Sequence, residues 1–195
     1  MTPRPYFSFS SYRLFGQSPD KWRKHYLLGE EGIQTPAMAF GKEMALIREN
    51  GNDEGLEHLT MFLPKYPRRE VEMTTVIKVD GKKVILLGKF DGADFKKHLI
   101  GEDKTGKSWT QKMADDSEQL TWYAFLYFQR KKIIPKLELN WVATTTQDGK
   151  IVATGEVKTF STLRTHKDFI ILLSKINKRW RGITALAERE WKNVL

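Results

Sequence analysis

The sequence predicts an α/β fold in which a central mixed β-sheet is flanked by helices. Apolar and polar residues alternate in two regions, from about Glu70 to Lys104 and from about Leu137 to Val157, as they do in strands. Segments with the helical spacing of apolar residues precede, separate and follow these regions. This order of elements is typical of helices packed on both sides of one sheet.

The N-terminal segment, from Ser8 to Leu28, contains aromatic residues among polar ones. Within it, Ser18-Pro19-Asp20 is typical of a helix cap and first turn. A second helix is expected from about Ala37 to Asn50, with Gly51 ending it. Aromatic residues at this density often build a core, but they also stack on unpaired bases. The residues concerned begin two positions before Ser8 and are Tyr6, Phe7, Phe9, Tyr12, Phe15 and Trp22.

Three strands are expected next, in the order of an antiparallel meander. From Val71 to Ile77 the pattern has a period of two, and it ends at the turn signal Asp80-Gly81. The returning strand is expected from Val84 to Asp94 and the third from Leu99 to Lys104, with a polar tip at residues 95–98 between them. These three strands would form one half of the sheet.

The second half of the chain begins with a helix whose N-cap is expected at Asp115-Asp116-Ser117. Alternation returns in Leu137 to Ala143, the turn signal Asp148-Gly149 follows, and Ile151 to Val157 is expected to pair back as a hairpin. A final helix is expected from about Ser161 to Trp191. The length of 195 residues predicts a single domain over residues 1–195.

The charge and the composition limit the possible partners and compartments. A formal net charge of +9 and a pI near 9.6 favour a polyanion such as nucleic acid, although some basic proteins bind none. The chain has no cysteine, which excludes disulfides, thiolate metal sites and cysteine-ligated iron–sulfur clusters. No apolar run approaches the ~20 residues of a membrane span. We therefore expect no membrane association and a cytoplasmic protein, in the host cytoplasm if the source is a virus.

The hairpin between the second and third strands predicts a pair of opposed carboxylates. If it folds symmetrically about its tip, the numbers of paired residues sum to 193, so Asp91 faces Glu102. Directly opposed carboxylates repel each other unless something neutralises them, and a divalent cation would do so. Lys104 lies two residues beyond Glu102, on the same face, where it can reach water held by the metal. Oxygen ligands favour Mg²⁺ or Mn²⁺. The alternative is a solvated hairpin edge with weak surface ion pairs.

These residues resemble the PD-(D/E)XK nuclease superfamily, in particular its RecB-like exonuclease branch. The matching motifs are Gly88-Lys89-Phe90-Asp91 on one strand and Glu102-Asp103-Lys104-Thr105-Gly106 on the next. Further pieces follow the family's order, and together they cover roughly residues 8–128: Ser8 to Phe15 with Ser18 to Trp22, Phe40-Gly41-Lys42, and Gln119 to Ala124. The resemblance implies a PD-(D/E)XK restriction-endonuclease-like core.

The resemblance also implies a role for each matching residue. Asp91 and Glu102 would be metal ligands, with the backbone carbonyl of Asp103 as another, and Lys104 would orient the attacking water. Gln119 and Tyr123 match the family's accessory pair, and their i, i+4 spacing puts both on one helix face. The alternative for this pair is that Tyr123 is a core residue and Gln119 is solvated.

Two departures from the family pattern bear on the metal and on the cofactor. Many members have a metal-binding histidine four residues after the glycine that corresponds to Gly41, where this chain has Ala45. Glu43 or Glu49 on the same helix, or water, would have to supply the third ligand. Some relatives carry an iron–sulfur cluster with a cysteine at the place of Ser18, and this chain cannot hold that cluster.

We therefore expect a Mg²⁺- or Mn²⁺-dependent deoxyribonuclease, with exonuclease activity in DNA recombination, repair or end processing. No ATPase motif is present, so an ATP-driven helicase or recombination partner would be another chain. The alternatives are a non-catalytic nucleic-acid-binding protein that retains the fold, and an adaptor for acidic proteins. Basic residues expected to contact DNA phosphates are Lys96, Lys97, Lys107, Lys112, Arg130, Lys131 and Lys132.

Overall fold

The computed structural model describes residues 6–50 and 62–192. Gly51, which was expected to end the second helix, lies outside these ranges. The elements follow in this order: β1 (Phe7–Ser8), α1 (Phe9–Gln17), α2 (Pro19–Trp22), a π-helical turn (Arg23–Leu27), α3 (Pro36–Asn50), β2 (Arg68–Val79), β3 (Lys82–Asp94), β4 (Leu99–Gly106), α4 (Gln111–Asp115), α5 (Glu118–Lys131), β5 (Lys136–Gln147), β6 (Lys150–Thr162) and α6 (His166–Lys192).

Six strands form one mixed sheet. Five of them follow the order β1-β3-β4-β5-β6, and the sixth, β2, lies outside this order and also pairs with β3. The pairs β2/β3, β3/β4 and β5/β6 are antiparallel, whereas β1/β3 and β4/β5 are parallel. Both hairpin turns have positive φ angles at two successive residues: 50° and 76° at Asp80 and Gly81, and 49° and 77° at Asp148 and Gly149. Aspartate and glycine tolerate this left-handed conformation, which two-residue hairpin turns require. The predicted meander and mixed sheet are confirmed.

Two boundaries differ from those expected, and two short elements are additional. Strand β6 continues to Thr162 instead of ending near Val157, because Ser161 and Thr162 still pair with Glu138 and Leu137 of β5. The last helix consequently begins at His166 and not at Ser161. The two-residue β1 and the five-residue α4 were not expected, since such short elements have no measurable periodicity.

Helices pack against both faces of the sheet, and alternate residues of β5 show which face is which. Leu139 and Trp141 belong to the main core with α5, whereas Val142, on the opposite face, packs with Met44 of α3 and Leu63. Helix α6 covers α5 from outside, where the Phe125 and Phe169 rings lie 5.7 Å apart. The sheet therefore lies between α3 on one side and α5 with α6 on the other.

Three aromatic residues of the N-terminal segment belong to the core. Phe7, Tyr12 and Trp22 are 1%, 0% and 4% exposed, and the Tyr12 ring lies 5.2 Å from that of Trp122. The cap expected at Ser18 is present, because its side chain accepts a hydrogen bond from the backbone N–H of Lys21. These three rings are therefore structural, which leaves them unable to stack on DNA bases.

Candidate active site

The pairing of β3 with β4 follows the register expected from the sequence. Three pairs form, Gly92 with Gly101, Ala93 with Ile100 and Asp94 with Leu99, and the numbers in each pair sum to 193. The ladder then ends at the candidate site. There the backbone N–H of Asp103 donates to Oδ2 of Asp91 at 2.7 Å. The Asp91 carboxylate thus accepts a hydrogen bond from the backbone of β4 at the point where the β3/β4 ladder ends.

Two glycines of this ladder make room for Tyr66. A Cβ atom at Gly92 or at Gly101 would overlap the Tyr66 ring, so only glycine allows the ring to lie against this strand pair. The Tyr66 hydroxyl donates to Oε2 of Glu138 at 2.7 Å and accepts from Nδ2 of Asn140 at 3.0 Å. The hairpin beside the candidate site is therefore packed against a fixed aromatic side chain.

Glu102 is the most enclosed carboxylate of the site, with 2% of the residue exposed. Its Oε1 accepts hydrogen bonds from Nζ of Lys104 and, at 2.6 Å, from Nε2 of Gln119. Gln119 Nε2 also lies 2.7 Å from the hydroxyl of Tyr123, one helical turn along α5. Among the described residues, Oε2 of Glu102 is buried without a hydrogen-bond partner. The structure brings Glu102, Lys104, Gln119 and Tyr123 together, and one carboxylate oxygen remains free.

Burial and like charge shift the pKa values at this site. Burial, and then the negative charge of Glu102, raise the pKa of the Asp91 carboxyl to about 8. Burial by itself would lower the pKa of Lys104, but its ion pair and hydrogen bond with Glu102 outweigh that effect, so this pKa lies above its ordinary value. Burial, and then Glu102, raise the pKa of Tyr123 well above its usual range. At neutral pH, Lys104 is therefore an ammonium and Tyr123 a neutral phenol.

Asp91, Glu102, Asp103 and Lys104 line one cavity of about 500 Å³ between α3 and the sheet. Gly41, Met44, Ala45 and Arg48 line it from α3, at the i, i+3, i+4 and i+7 spacing of one helix face. The remaining lining comes from the apolar residues Ala37, Met38, Leu63, Val142 and Ile151, and from Arg13, Arg69, Thr105, Gly106 and Thr144. Asp91, Glu102, Asp103 and Lys104 thus stand in a cleft large enough for a nucleotide, whereas Gln119 and Tyr123 do not line it.

The side chain of Asp103 is held by basic residues on the α3 side of the sheet. Its Oδ2 lies 2.7 Å from Nε of Arg48 and 2.9 Å from Nη2 of Arg69. Its Oδ1 accepts a hydrogen bond from Nδ2 of Asn140 at 2.8 Å. Burial lowers the pKa of Arg48, Asp103 opposes this shift, and the charge of Arg69 adds to it. Two guanidinium groups therefore share one carboxylate inside the cavity.

The donors at the site fit a hard divalent cation. Residues 6–50 and 62–192 contain no group of three His, Asp or Glu side chains that could hold a metal ion. Magnesium, however, is commonly held by one or two carboxylates together with several waters. The unpartnered Oε2 of Glu102 and the raised pKa of Asp91 both mark negative charge that a cation would stabilise.

Helix α3 does not bring its glutamates to this cavity. Glu43 is exposed and projects from the side of α3 opposite the face made by Gly41, Ala45 and Arg48, and Glu49 is exposed as well. The position that carries histidine in many relatives of the resembled family, Ala45, does line the cavity. The structure thus leaves water as the expected source of further ligands.

The basic residues expected to bind phosphates lie in two places. Lys96 and Lys97 are in the turn between β3 and β4, and residues 130–132 are at the C-terminal end of α5. Gln119 is at the other end of this 14-residue helix, which is about 20 Å long at 1.5 Å per residue. Lys107 directly follows β4, and Lys112, in α4, pairs with Asp116.

Several cavity residues were not anticipated from the sequence. Arg48, Arg69 and the side chain of Asp103 meet from three elements distant in the chain, and no local spacing connects them. A possible signal was the charge of Arg68-Arg69 directly before a strand that was otherwise read as alternating. Arg13 also reaches the cavity, from α1.

Comparisons with known proteins give similarity at the level of structure. No protein-family model and no curated protein sequence matches the chain. A crystal structure from Eubacterium rectale, provisionally described as an exonuclease, matches with a TM-score of 0.61 and 14% identity over 95% of this chain and 82% of that one. The alkaline exonuclease LHK-Exo from Laribacter hongkongensis matches with a TM-score of 0.50 and 12% identity over 97% and 93%. A third structure, SSO0001, gives 0.52 and 14% over 95% and 78%.

These similarities establish the fold. The chain is an α/β protein with a central six-stranded mixed sheet flanked by helices, the architecture of the exonuclease structures that it matches. The fold class predicted from the sequence is therefore confirmed. None of the helices in the described ranges combines the length and the apolar composition that crossing a membrane would require.

Proposed function

We propose that this protein is a Mg²⁺- or Mn²⁺-dependent DNA nuclease of the PD-(D/E)XK type. The observation that carries the proposal is the convergence of Asp91, Glu102 and Lys104 in one cavity. Two carboxylates that line one cavity, one of them paired with an ammonium group, on a sheet shared with exonuclease structures, suit phosphodiester hydrolysis better than a surface ion pair.

Asp91, Glu102 and the backbone carbonyl of Asp103 would hold the cation. Once bound there, the cation would supply Lewis-acid chemistry, lowering the pKa of water and stabilising charge on the phosphoryl group and the leaving oxygen. The backbone N–H of Asp103 keeps Oδ2 of Asp91 in place, 2.7 Å away. Asp91 would therefore meet the metal with its carboxylate already held, and preorganised groups of this kind stabilise developing charge efficiently.

Lys104 would orient the attacking water and stabilise negative charge. Its pKa is raised, so Nζ keeps its proton and is a donor, not a base, at neutral pH. Gln119 fixes Oε1 of Glu102 and is itself fixed by Tyr123. We assign Gln119 and Tyr123 as positioning residues, because in this structure they act on Glu102.

Several finer features of the function are also part of this proposal. We assign the chain to the RecB-like branch and expect exonuclease action on DNA in recombination, repair or end processing, with a helicase or recombination protein as a possible partner. The support is the sequence motif together with two structural neighbours described as exonucleases, one of which, LHK-Exo, is also known in complex with dAMP. A non-catalytic DNA-binding role was suggested by Ala45, but the exonuclease neighbours do not favour it.

A nuclease assay tests the proposal. Purified protein is incubated with linear duplex and single-stranded DNA in the presence of Mg²⁺, Mn²⁺ or a chelator, beside a Glu102→Gln preparation made in the same way. We expect cleavage that needs the metal and disappears in the variant. Undiminished cleavage by Glu102→Gln would place the chemistry elsewhere, and salt-sensitive DNA binding without cleavage at any metal concentration would favour the non-catalytic alternative.

A further inference from the structure

On the α3 side of the cavity, two arginine side chains pair with a single carboxylate. Arg48 and Arg69 both approach Oδ2 of Asp103, at 2.7 and 2.9 Å, while Oδ1 of Asp103 is taken by Asn140. The Arg48 and Arg69 side chains are only 8% and 18% exposed. Two buried cations with one shared anion leave a net positive charge away from bulk water, and burying such a charge is costly unless a further anion pairs with it.

Hydrogen-bond donors on these arginines also remain unused. In the described part of the chain, Nε and Nη1 of Arg69 are buried and have no hydrogen-bond acceptor. Arg48 Nε lies at ion-pair distance from Asp103, but its N–H has no acceptor in line with it. By contrast, Arg164 is also buried, and its three nitrogens donate to five oxygens. Unsatisfied buried donors are rare in folded proteins, and here they belong to two arginines that line the cavity.

We propose that Arg69, held by Asp103 and supported by Arg48, binds a backbone phosphate of the DNA inside the cavity. This inference rests on the proposed function and specifies how the substrate is held. The two arginines and the two carboxylates Asp91 and Glu102 line the same 500 Å³ space. A phosphodiester held there would have one side toward cationic donors and the other toward the candidate metal site.

The chemistry of the guanidinium group favours a phosphate over a base or a sugar. Arginine presents several N–H donors in a fixed plane and stays charged when buried, so it pairs well with tetrahedral phosphate oxygens. A guanine edge can also accept hydrogen bonds from arginine, but it is neutral, whereas the two guanidinium groups that share Asp103 favour an anionic partner. The contact would consequently be independent of DNA sequence.

Equilibrium binding of a fluorescent DNA duplex under chelating conditions tests this inference apart from catalysis. Affinity is measured against salt concentration for wild type, Arg69→Gln, Arg69→Lys and Arg68→Gln. Arg68 is the matched control, because it is the adjacent arginine in β2 and is exposed. We expect Arg69→Gln to weaken binding about tenfold or more and to reduce the slope of log affinity against log salt by about 0.9, the value of one duplex phosphate contact. Arg68→Gln should change both much less.

Arg69→Lys covers the case in which Arg69→Gln does not fold. Lysine retains the charge beside Asp103 but lacks the planar set of donors, so we expect weaker DNA binding at an unchanged melting temperature. Wild-type affinity and salt slope in the folded Arg69 variants would overturn the inference and make the arginines purely structural. A protein that shows the Arg69 effect on binding but never cleaves DNA would contradict the proposed nuclease function alone.

Discussion

Gln119 on α5 donates a hydrogen bond from Nε2 to Oε1 of Glu102 on β4, over 2.6 Å. This bond crosses from a helix to the central sheet and determines which way the Glu102 carboxylate faces. Because Lys104 takes the same oxygen, Oε2 is left for the candidate cation. The orientation of Glu102 therefore depends on a neutral side chain that need not touch the substrate.

Replacing Gln119 should impair turnover without preventing folding. In Gln119→Leu we expect kcat to fall about 10- to 100-fold, since a hydrogen bond to a charged group contributes about 1.5–3 kcal/mol. In Tyr123→Phe, which removes only the hydroxyl beside Gln119, we expect a loss of about fivefold, because a neutral hydrogen bond contributes about 1 kcal/mol. Steady-state kinetics on linear DNA would show both. Wild-type kcat in Gln119→Leu would reject its positioning role.

Substitutions of the proposed active-site residues should abolish cleavage, whereas substitution of an acidic residue on the far side of α3 should not. Glu102→Gln and Lys104→Ala are expected to remain folded and to lose metal-dependent cleavage by at least about a hundredfold, as when groups that act in the transition state are removed. Glu43→Gln is the matched control, because Glu43 is exposed on the far side of α3. It should cleave as wild type does. A large loss in Glu43→Gln would restore Glu43 as a ligand and contradict the arrangement described here.

The sequence was sufficient to predict the sheet and the register at the site. Alternation revealed the long strands, and the symmetric hairpin fixed the sum of 193 that Gly92 and Gly101 obey. Both depend on local rules, since period and turn length are properties of neighbouring residues. The extension of β6 to Thr162 was missed, because it depends on pairing with Leu137 across the sheet.

The ion pairs of Asp103 with Arg48 and Arg69 could not be predicted from local sequence patterns. Asp103 meets Arg48 and Arg69 only because α3 and β2 lie beside β4 in space, and helix packing has no fixed spacing along the chain. The motif indicated a backbone role for Asp103 and said nothing about its carboxylate. Glu43 was considered because it is acidic and near Gly41, but helical periodicity turns it away from the cavity.

Removing the Asp91 charge should stabilise the metal-free protein. Asp91 is buried near Glu102, which destabilises the folded state when both are ionised. Asn at this position would still accept the backbone N–H of Asp103. At pH 8 and above, where the Asp91 carboxyl ionises in the folded protein, we expect the metal-free melting temperature of Asp91→Asn to exceed that of wild type by about 2–4 °C for each kcal/mol of burial and repulsion cost relieved. Differential scanning calorimetry in chelator measures this change. Mg²⁺ or Mn²⁺ should stabilise wild type but not the variant, and equal metal stabilisation of both would refute Asp91 as a ligand.

Ala45 offers a gain-of-function test of the cavity geometry. It lines the cavity from α3 at the place where relatives of the resembled family have a metal-binding histidine. In Ala45→His we expect the Mn²⁺ concentration for half-maximal cleavage to fall more than that for Mg²⁺, because an imidazole nitrogen suits manganese better than magnesium. Metal titrations of cleavage measure both values, with Ala45→Gln as a control of similar size. An equal change for the two metals in both variants would mean that residue 45 does not reach the cation.

Cleavage should depend on the presence of a DNA end. We expect linear DNA to be degraded and covalently closed circles to be largely spared, as the resemblance to RecB-like exonucleases implies. Two carboxylates and a metal cut internal and terminal phosphodiesters alike, so selectivity must come from the shape of the channel around the cavity. The buried rings of Phe7, Tyr12 and Trp22 cannot form a stacking wall, whereas Tyr6, Phe9 and Phe15 are only partly buried. Arg48 and Arg69 line the cavity itself. Relaxed closed, nicked and linear DNA are compared at one metal concentration. Rapid linearisation of the closed circle would make this protein an endonuclease, and degradation of linear DNA alone would support end-dependent action.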